Sequence, residues 1–186
     1  KTSFSYLANT SFTTEGWINV RSQPAYYSTM VTSFGGGLVL YFTNGGNGAM
    51  DATAQLYNGT GWTALSCDTN GVFNTWYHLA VTYNDSAQTA TLFFNGKPCH
   101  ANVSVSGGFN DSYTQTLQIG MYASNYHDGH LDDIRIYNYA RTPGQITEDM
   151  NAGHPMGGSP VGSQTAYYRF DEGFSTVAHN SGNGGS

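Results

Sequence analysis

Residues Trp76–Phe94 read WYHLAVTYNDSAQTATLFF, and their alternation decides the fold. Tyr77, Leu79, Val81 and Tyr83 occupy one face of a period-2 pattern, and Trp76, His78, Ala80 and Thr82 the other, which is the signature of a β-strand. Asn84-Asp85-Ser86 turns the chain. TATLFF then returns antiparallel to Asn95-Gly96, a dipeptide suited to the positive φ of a tight hairpin. No helical period fits this stretch, so the unit is a β-hairpin.

Working outward, the same logic gives more strands. Thr13–Arg21 places Ile18 and Val20 on one face and Trp17, Asn19 and Arg21 on the other. Met30–Phe34 and Leu38–Phe42 flank Gly35-Gly36-Gly37, and Ala52–Tyr57 and Trp62–Cys67 flank Asn58-Gly59-Thr60-Gly61, giving two further hairpins. Lys97–Val105 follows, with Pro98 marking an edge strand or a strand start because proline cannot donate to a ladder. Thr114–Gly120, His130–Tyr137 and Tyr167–Phe170 complete the set. The single helix signal is Thr142-Pro143-Gly144-Gln145: an N-cap threonine, proline at the first helical position and a glutamine placed for a capping box, in a helix running to Met150 with Gly153 as C′. Short strands with turn signals between them and no αβ alternation predict an all-β, two-sheet antiparallel sandwich or jelly roll, with one short helix near 142–150.

Composition agrees. Of 186 residues only 18 are charged, 12 acidic and 6 basic, or 10% against roughly 25% in an average domain. Aromatics number 27, glycines 24, and serine plus threonine 38, so hydroxyls and amides solvate the surface. A net charge of −6 leaves no cationic stripe, which excludes nucleic acid and anionic lipid as partners. No run of about 18 apolar residues spans a membrane. The chain begins at Lys1 without a signal-peptide pattern, so a secretory signal is either removed or was never part of it. Cys67 and Cys99 are alone in the chain. Paired in an oxidising compartment they close a loop worth roughly 3–4 kcal/mol, and the alternative is two buried thiols. The charge-poor, Ser/Thr/Gly/Asn-rich composition points outside the cell or to its surface.

WYHLAVTYNDSAQTATLFFNGKPC, then LQIG, then GHLDDIRIYNYARTPGQI, resembles the laminin-G-like group of the concanavalin-A-like lectin/glucanase superfamily from Thr75 to about Asn151, with SFTTEGWINV similar to its early strand. The resemblance implies an extracellular two-sheet sandwich that recognises glycans or proteins, sometimes with a structural calcium. One departure stands out. AYYRFDEGFSTVAHNSGNGG is similar to the segment that normally opens such a domain, yet here it ends the chain. The expected organisation is a sandwich at 1–152, a Gly/Pro/Ser linker at 153–163, and a displaced strand and tail at 164–186. Tyr167, Tyr168, Arg169 and Phe170 then return to their own sandwich, open a following repeat, or complete a neighbouring copy. Strand donation to a neighbour is a heterologous contact able to build a filament.

A retaining glucanase needs two carboxylates about 5 Å apart on one face. Asp132-Asp133 and Asp171-Glu172 are adjacent pairs, expected to point to opposite sides of a strand, so no catalytic residue and no enzyme is expected. For calcium, the resemblance puts Asp132, Asp133 and Asn180 with carbonyls near Gly182–Gly184. Alternatively Asp133 pairs with Arg135 and Asp132 caps a turn. His127-Asp128-Gly129-His130 lacks a third zinc ligand and reads as a solvated loop. Tyr122, Tyr126 and His127, or Tyr26-Tyr27 near Pro24, are candidate sugar-stacking platforms, against the alternative that they cover sheet edges. Of five N-x-S/T sequons, Asn58 and Asn84 fall in hairpin turns and are the expected glycosylation sites. The sequence therefore points first to a non-enzymatic structural or adhesive module with copies of itself as partners, and second to a carbohydrate-binding module of a larger secreted or surface protein with glycan as partner.

Overall fold

The computed structural model describes residues 7, 9–22, 27–33, 37–45, 48–110, 116–152, 164–170 and 178–182. In chain order the strands are β1 (Phe12–Val20), β2 (Tyr27–Ser33), β3 (Leu38–Asn44), β4 (Met50–Tyr57), β5 (Trp62–Gly71), β6 (Trp76–Asn84), β7 (Thr89–Phe94), β8 (Lys97–Ser104), β9 (Leu117–Ile119), β10 (Met121–Tyr122), β11 (Asn125–Tyr126) and β12 (Gly129–Tyr137); helix α1 (Pro143–Asn151) and β13 (Gln164–Tyr168) follow. They form a six-stranded sheet ordered β13-β12-β1-β6-β7-β8, a five-stranded sheet ordered β5-β4-β3-β2-β9, and the small hairpin β10-β11. Every pairing is antiparallel. The expected sandwich is present.

The alternation of the 76–83 strand sorts its residues as the pattern demands. Leu79, Val81 and Tyr83 enter the core between the sheets, where Leu38, Leu40 and Phe42 meet them from β3. Phe42 contacts Tyr77 and Phe94 across the gap, with ring centroids 5.7 and 6.4 Å apart, and edge-on rings of this kind add to plain area burial. The opposite face of β6 is not solvated. His78 and Ala80 are fully buried because α1 lies over this side of the six-stranded sheet, its Ile146 packed on Ala80 and Phe93. The helix starts as expected: the Gln145 N–H donates to Thr142 Oγ1 at 3.3 Å, and the Thr142 N–H donates to Gln145 Oε1 at 2.9 Å. Thr147 Oγ1 donates to the Gly96 carbonyl, pinning α1 to the β7–β8 turn.

Disulfide Cys67–Cys99 joins β5 to β8, edge strands of the two sheets, with Cα atoms 5.8 Å apart. Pro98 lies on the edge strand β8. Strand β13 pairs with β12 of its own chain, Ile134 opposite Tyr168 and Arg135 opposite Tyr167. In the single chain the segment thus lies against its own sandwich. Residues 178–182 run along the outer side of β13: Tyr168 and Asn180 form a bridge, and the Ser181 N–H donates to the Tyr167 carbonyl at 2.8 Å. The proposed linker at 153–163 and its Gly153 cap lie outside the described residues.

Two local features depart from simple alternation. Met121–Tyr126 forms a hairpin where the sequence reads as loop. Its turn uses Ala123 and Ser124 at φ 48° and 67°, left-handed positions normally filled by Asn or Gly, so no turn signal marked it. The second is a bulge in β12. Glu15 and Trp17 oppose Arg135 and Asp132, which leaves Asp133 and Ile134 against Gly16 alone. Asp133 takes φ 49°, a conformation Asp tolerates. Gly16 is required there, since a Cβ would lie 3.2 Å from the Ile134 Cα and 3.3 Å from the Asp132 carbonyl oxygen.

Candidate functional site

The bulge sets the site. Trp17 faces outward on β1 between two cross-strand partners, His78 on β6 and Asp132 on β12. Trp76 stands two residues before His78, diagonal to Trp17 and within reach of a long side chain. Met150, from the last turn of α1, closes the far side. Trp17, Trp76, Asp132, Asp133 and Met150 bound a depression of about 340 Å³, in the size range of small-ligand clefts. The Trp76 side is open, the residue being 43% exposed. The sequence argument that Asp132 and Asp133 point apart is corrected here: the extra residue and positive φ of the bulge bring both to one depression. They are not equivalent. Asp133 is 3% exposed, 3.3 Å from the Arg135 guanidinium, and its Oδ1 accepts from the Tyr167 hydroxyl at 2.8 Å.

Beneath the depression lies a buried polar layer. The Trp17 ring meets His78 edge-on at 5.4 Å, and His78 Nε2 is 3.8 Å from Glu15 Oε2, both side chains fully buried. Burial pushes the His78 imidazole down to about 4, helped by Arg135. Burial, with the Asp149 carboxyl facing it, pushes Glu15 well above the usual carboxylate range. Both shifts favour uncharged forms. The charges in this layer are balanced pairs: Arg135 with Asp133, and Arg141 Nε with Asp149 Oδ2 at 2.6 Å. Tyr137 donates to Asp149 Oδ2 at 3.0 Å, and Arg135 Nη1 to the Asp149 carbonyl at 3.1 Å. The layer fixes α1, and through it Met150, over the sheet.

The residues named from sequence scatter around this site. Tyr122 pairs with Asn125, and Tyr126 with Met121, so the hairpin sends Tyr122 and Tyr126 to opposite faces. They do not form one platform with His127. Tyr126 is 76% exposed, whereas Tyr122 packs edge-on against Tyr27 at 5.7 Å, which in turn meets Tyr41 at 4.7 Å. Burial, then Tyr27 and Tyr122, push the Tyr41 hydroxyl up to about 12. His127 turns inward to hydrogen-bond Ser28 Oγ at 2.7 Å, and burial lowers its pKa. Tyr26 lies outside the described residues.

The set Asp132, Asp133 and Asn180 does not fit a calcium cage. Asn180 Oδ1 already accepts the Tyr167 and Gly182 N–H groups at 3.0 and 2.9 Å. Asp133 faces a guanidinium, which opposes a second cation. Among the described residues no group of three or more His, Cys, Asp or Glu is placed to hold a metal, and Asn183 and Gly184 lie outside them. The Tyr167 ring lies under Arg135 at 5.0 Å, and Tyr168 and Phe170 pack against the core; Arg169 is half-buried beside them. Asn58 Nδ2 donates to the Ser106 carbonyl at 2.6 Å, and its Oδ1 takes the Thr60 and Gly61 N–H groups, so its amide is engaged in the turn. Asn84 is exposed, with Ser86 Oγ donating to its Oδ1 at 2.8 Å. Trp17 and Trp76, the walls of the depression, were visible in sequence only as outward positions of strands.

Comparison with known proteins matches this geometry at the level of fold. The chain overlays a putative carbohydrate-binding protein from Bacteroides ovatus with a TM-score of 0.69 and 22% identity, covering 97% of this chain and 50% of that one. A carbohydrate-binding module of the Ruminococcus gnavus IT-sialidase, also known bound to α2,3- and α2,6-sialyllactose, gives 0.63 and 16%, covering 76% and 83%. A heptameric pentraxin from Limulus polyphemus gives 0.62 and 19%, covering 76% and 70%. No curated protein matches by sequence. The structural neighbours are thus carbohydrate-binding and pentraxin-like domains sharing the sandwich. A laminin G family model matches residues 1–147, and the chain belongs to that family of the concanavalin A-like lectin/glucanases superfamily.

Proposed function

We propose that this chain is a non-catalytic glycan-binding module of a secreted or cell-surface protein, and that the depression between Trp17, Trp76, Asp132 and Met150 receives one sugar residue. The observation that carries the reading is the partly exposed Trp76 indole beside Trp17 in a depression of about 340 Å³ with a carboxylate on its wall. Indole faces cover the apolar C–H face of a pyranose, and a fixed carboxylate accepts from its hydroxyls. The carbohydrate-binding neighbours support the same class. The same neighbours favour glycan binding over self-assembly by strand donation, for which none of them is a parallel. A non-catalytic role is supported by the carboxylates themselves: Asp133 is tied to Arg135, and Glu15 and Asp149 meet beneath α1, away from the open depression.

Affinity electrophoresis or calorimetry with a panel of oligosaccharides tests this. Trp76→Ala weakens binding by roughly tenfold or more, as loss of an aromatic anchor does, with an unchanged melting temperature. Loss on Tyr126→Ala without loss on Trp76→Ala moves the site to the β10–β11 hairpin and overturns the assignment.

A further inference from the structure

One step along β1 from the depression, the outward face of the sheet carries a second group of side chains. Asn19 is paired with Trp76 of β6 on one side and with His130 of β12 on the other. Residues on alternate strands stand roughly 9–10 Å apart at the backbone, yet the Trp76 and His130 ring centroids are 6.2 Å apart, with their planes inclined at 39°. The two rings therefore lean toward each other over Asn19. Both ring residues are exposed, whereas Asn19 beneath them is only 8% exposed. Among the described residues the Asn19 carboxamide has no hydrogen-bond partner, so an amide able to donate and accept lies on the floor between an indole and an imidazole. A polar group so covered loses part of its hydration, and a ligand hydroxyl brought to it makes up the loss.

Successive outward residues of a strand are roughly 7 Å apart, which sets Asn19 about one sugar ring and its linkage away from Trp17. The Trp76 indole belongs to both groups, bounding the depression with Trp17 and meeting His130 on the other side. Resting on the glycan reading above, we infer that the site continues past the depression: the Trp76–His130 pair over Asn19 receives a second sugar, and the ligand is a linear oligosaccharide lying along β1. The second pyranose lays its C–H face on His130 and the outer part of Trp76, the kind of contact aromatic rings offer. One of its hydroxyls reaches the Asn19 amide. His130 is then the residue that distinguishes a chain from a single sugar.

The test compares monosaccharide with β-1,4-linked disaccharide on the intact chain, for glucose, mannose, xylose and N-acetylglucosamine, by calorimetry or ligand-observed NMR. The expected result, in at least one of these series, is a disaccharide bound tenfold or more tighter than its monosaccharide, roughly the increment of one further aromatic contact. In His130→Ala that ratio falls to near one, with the melting temperature as the fold control, and Asn19→Ala moves it in the same direction. A disaccharide advantage that survives His130→Ala puts the second sugar elsewhere and overturns the inference. Equal binding of monosaccharide and disaccharide, lost in Trp76→Ala, overturns it as well and leaves the single-sugar site standing. Binding in none of the series overturns both readings.

Discussion

Glu15 and His78 occupy adjacent outward positions of β1 and β6 beneath α1, with both side chains fully buried. Arg135, Arg141 and Asp149 are the charged groups that bear on Glu15 there. Its folded pKa is raised, so the native state holds a proton that the unfolded chain releases near 4.5. The stability linked to Glu15 is therefore present below that value and is lost as pH rises toward the raised native pKa. His78 works the other way: with a pKa lowered from 6.5 to about 4, it costs stability as pH falls through that window. Comparing Glu15→Gln with the parent cancels the His78 part. Urea unfolding at several pH values should show the variant gaining on the parent as pH rises, by at most about 1.4 kcal/mol per unit. A difference that stays flat across that range contradicts a raised Glu15. The same residue scale explains why Gly16 carries no side chain, since the bulge that turns Asp132 and Asp133 to one side brings the Ile134 and Asp132 backbone against it.

At the scale of elements, the exposed edge strand β8 and the edge strand β5 are held to each other by Cys67–Cys99. The two cysteines are 32 residues apart, and replacing both with alanine should cost about 3–4 kcal/mol in the loop-entropy account, read as a fall in the urea midpoint with a somewhat steeper slope, because the denatured chain without the cross-link is less compact and exposes more surface. An unchanged midpoint means the sheets are held at this edge by packing alone. Helix α1 is the other decisive element. Its capping box was legible, because Thr142, Pro143 and Gln145 satisfy orphan N–H groups with local chemistry. Its docking was not, since Arg135, Tyr137 and Arg141 reach Asp149 only after β12 and α1 have packed together.

For the molecule as a whole, β13 closes one edge of the six-stranded sheet and residues 178–182 lie along its outer side, which covers an edge that would otherwise pair with another chain. Sedimentation should therefore find single copies of this chain. Truncation before Gln164 should expose β12, lower the melting temperature and produce larger species, and an added peptide spanning residues 164–182 should reverse this. Head-to-tail oligomers of the intact chain would overturn that expectation. Calcium offers a second global test. With Asn180 and Asp133 engaged by N–H, hydroxyl and guanidinium donors, exchange between chelator and excess calcium should leave the melting temperature unchanged, and a rise of several degrees with calcium contradicts this.

Local sequence determined which residues face inward along 76–83 and 13–20, where the hairpins turn at Asn58-Gly59 and Asn95-Gly96, and how the helix begins. Each follows from the two-residue period of a strand or from the φ and hydrogen-bond needs of a few neighbouring residues. It did not determine that the outward face of β6 is buried, that Ala123-Ser124 makes a turn, or that Asp132 and Asp133 share a side. Those depend on a helix arriving from about 60 residues away and on a bulge fixed by pairing with Gly16. Only the tertiary structure set Trp17 and Trp76 beside Asp132 and Met150, because the depression is assembled from three neighbouring strands and a helix, and no single segment contains it.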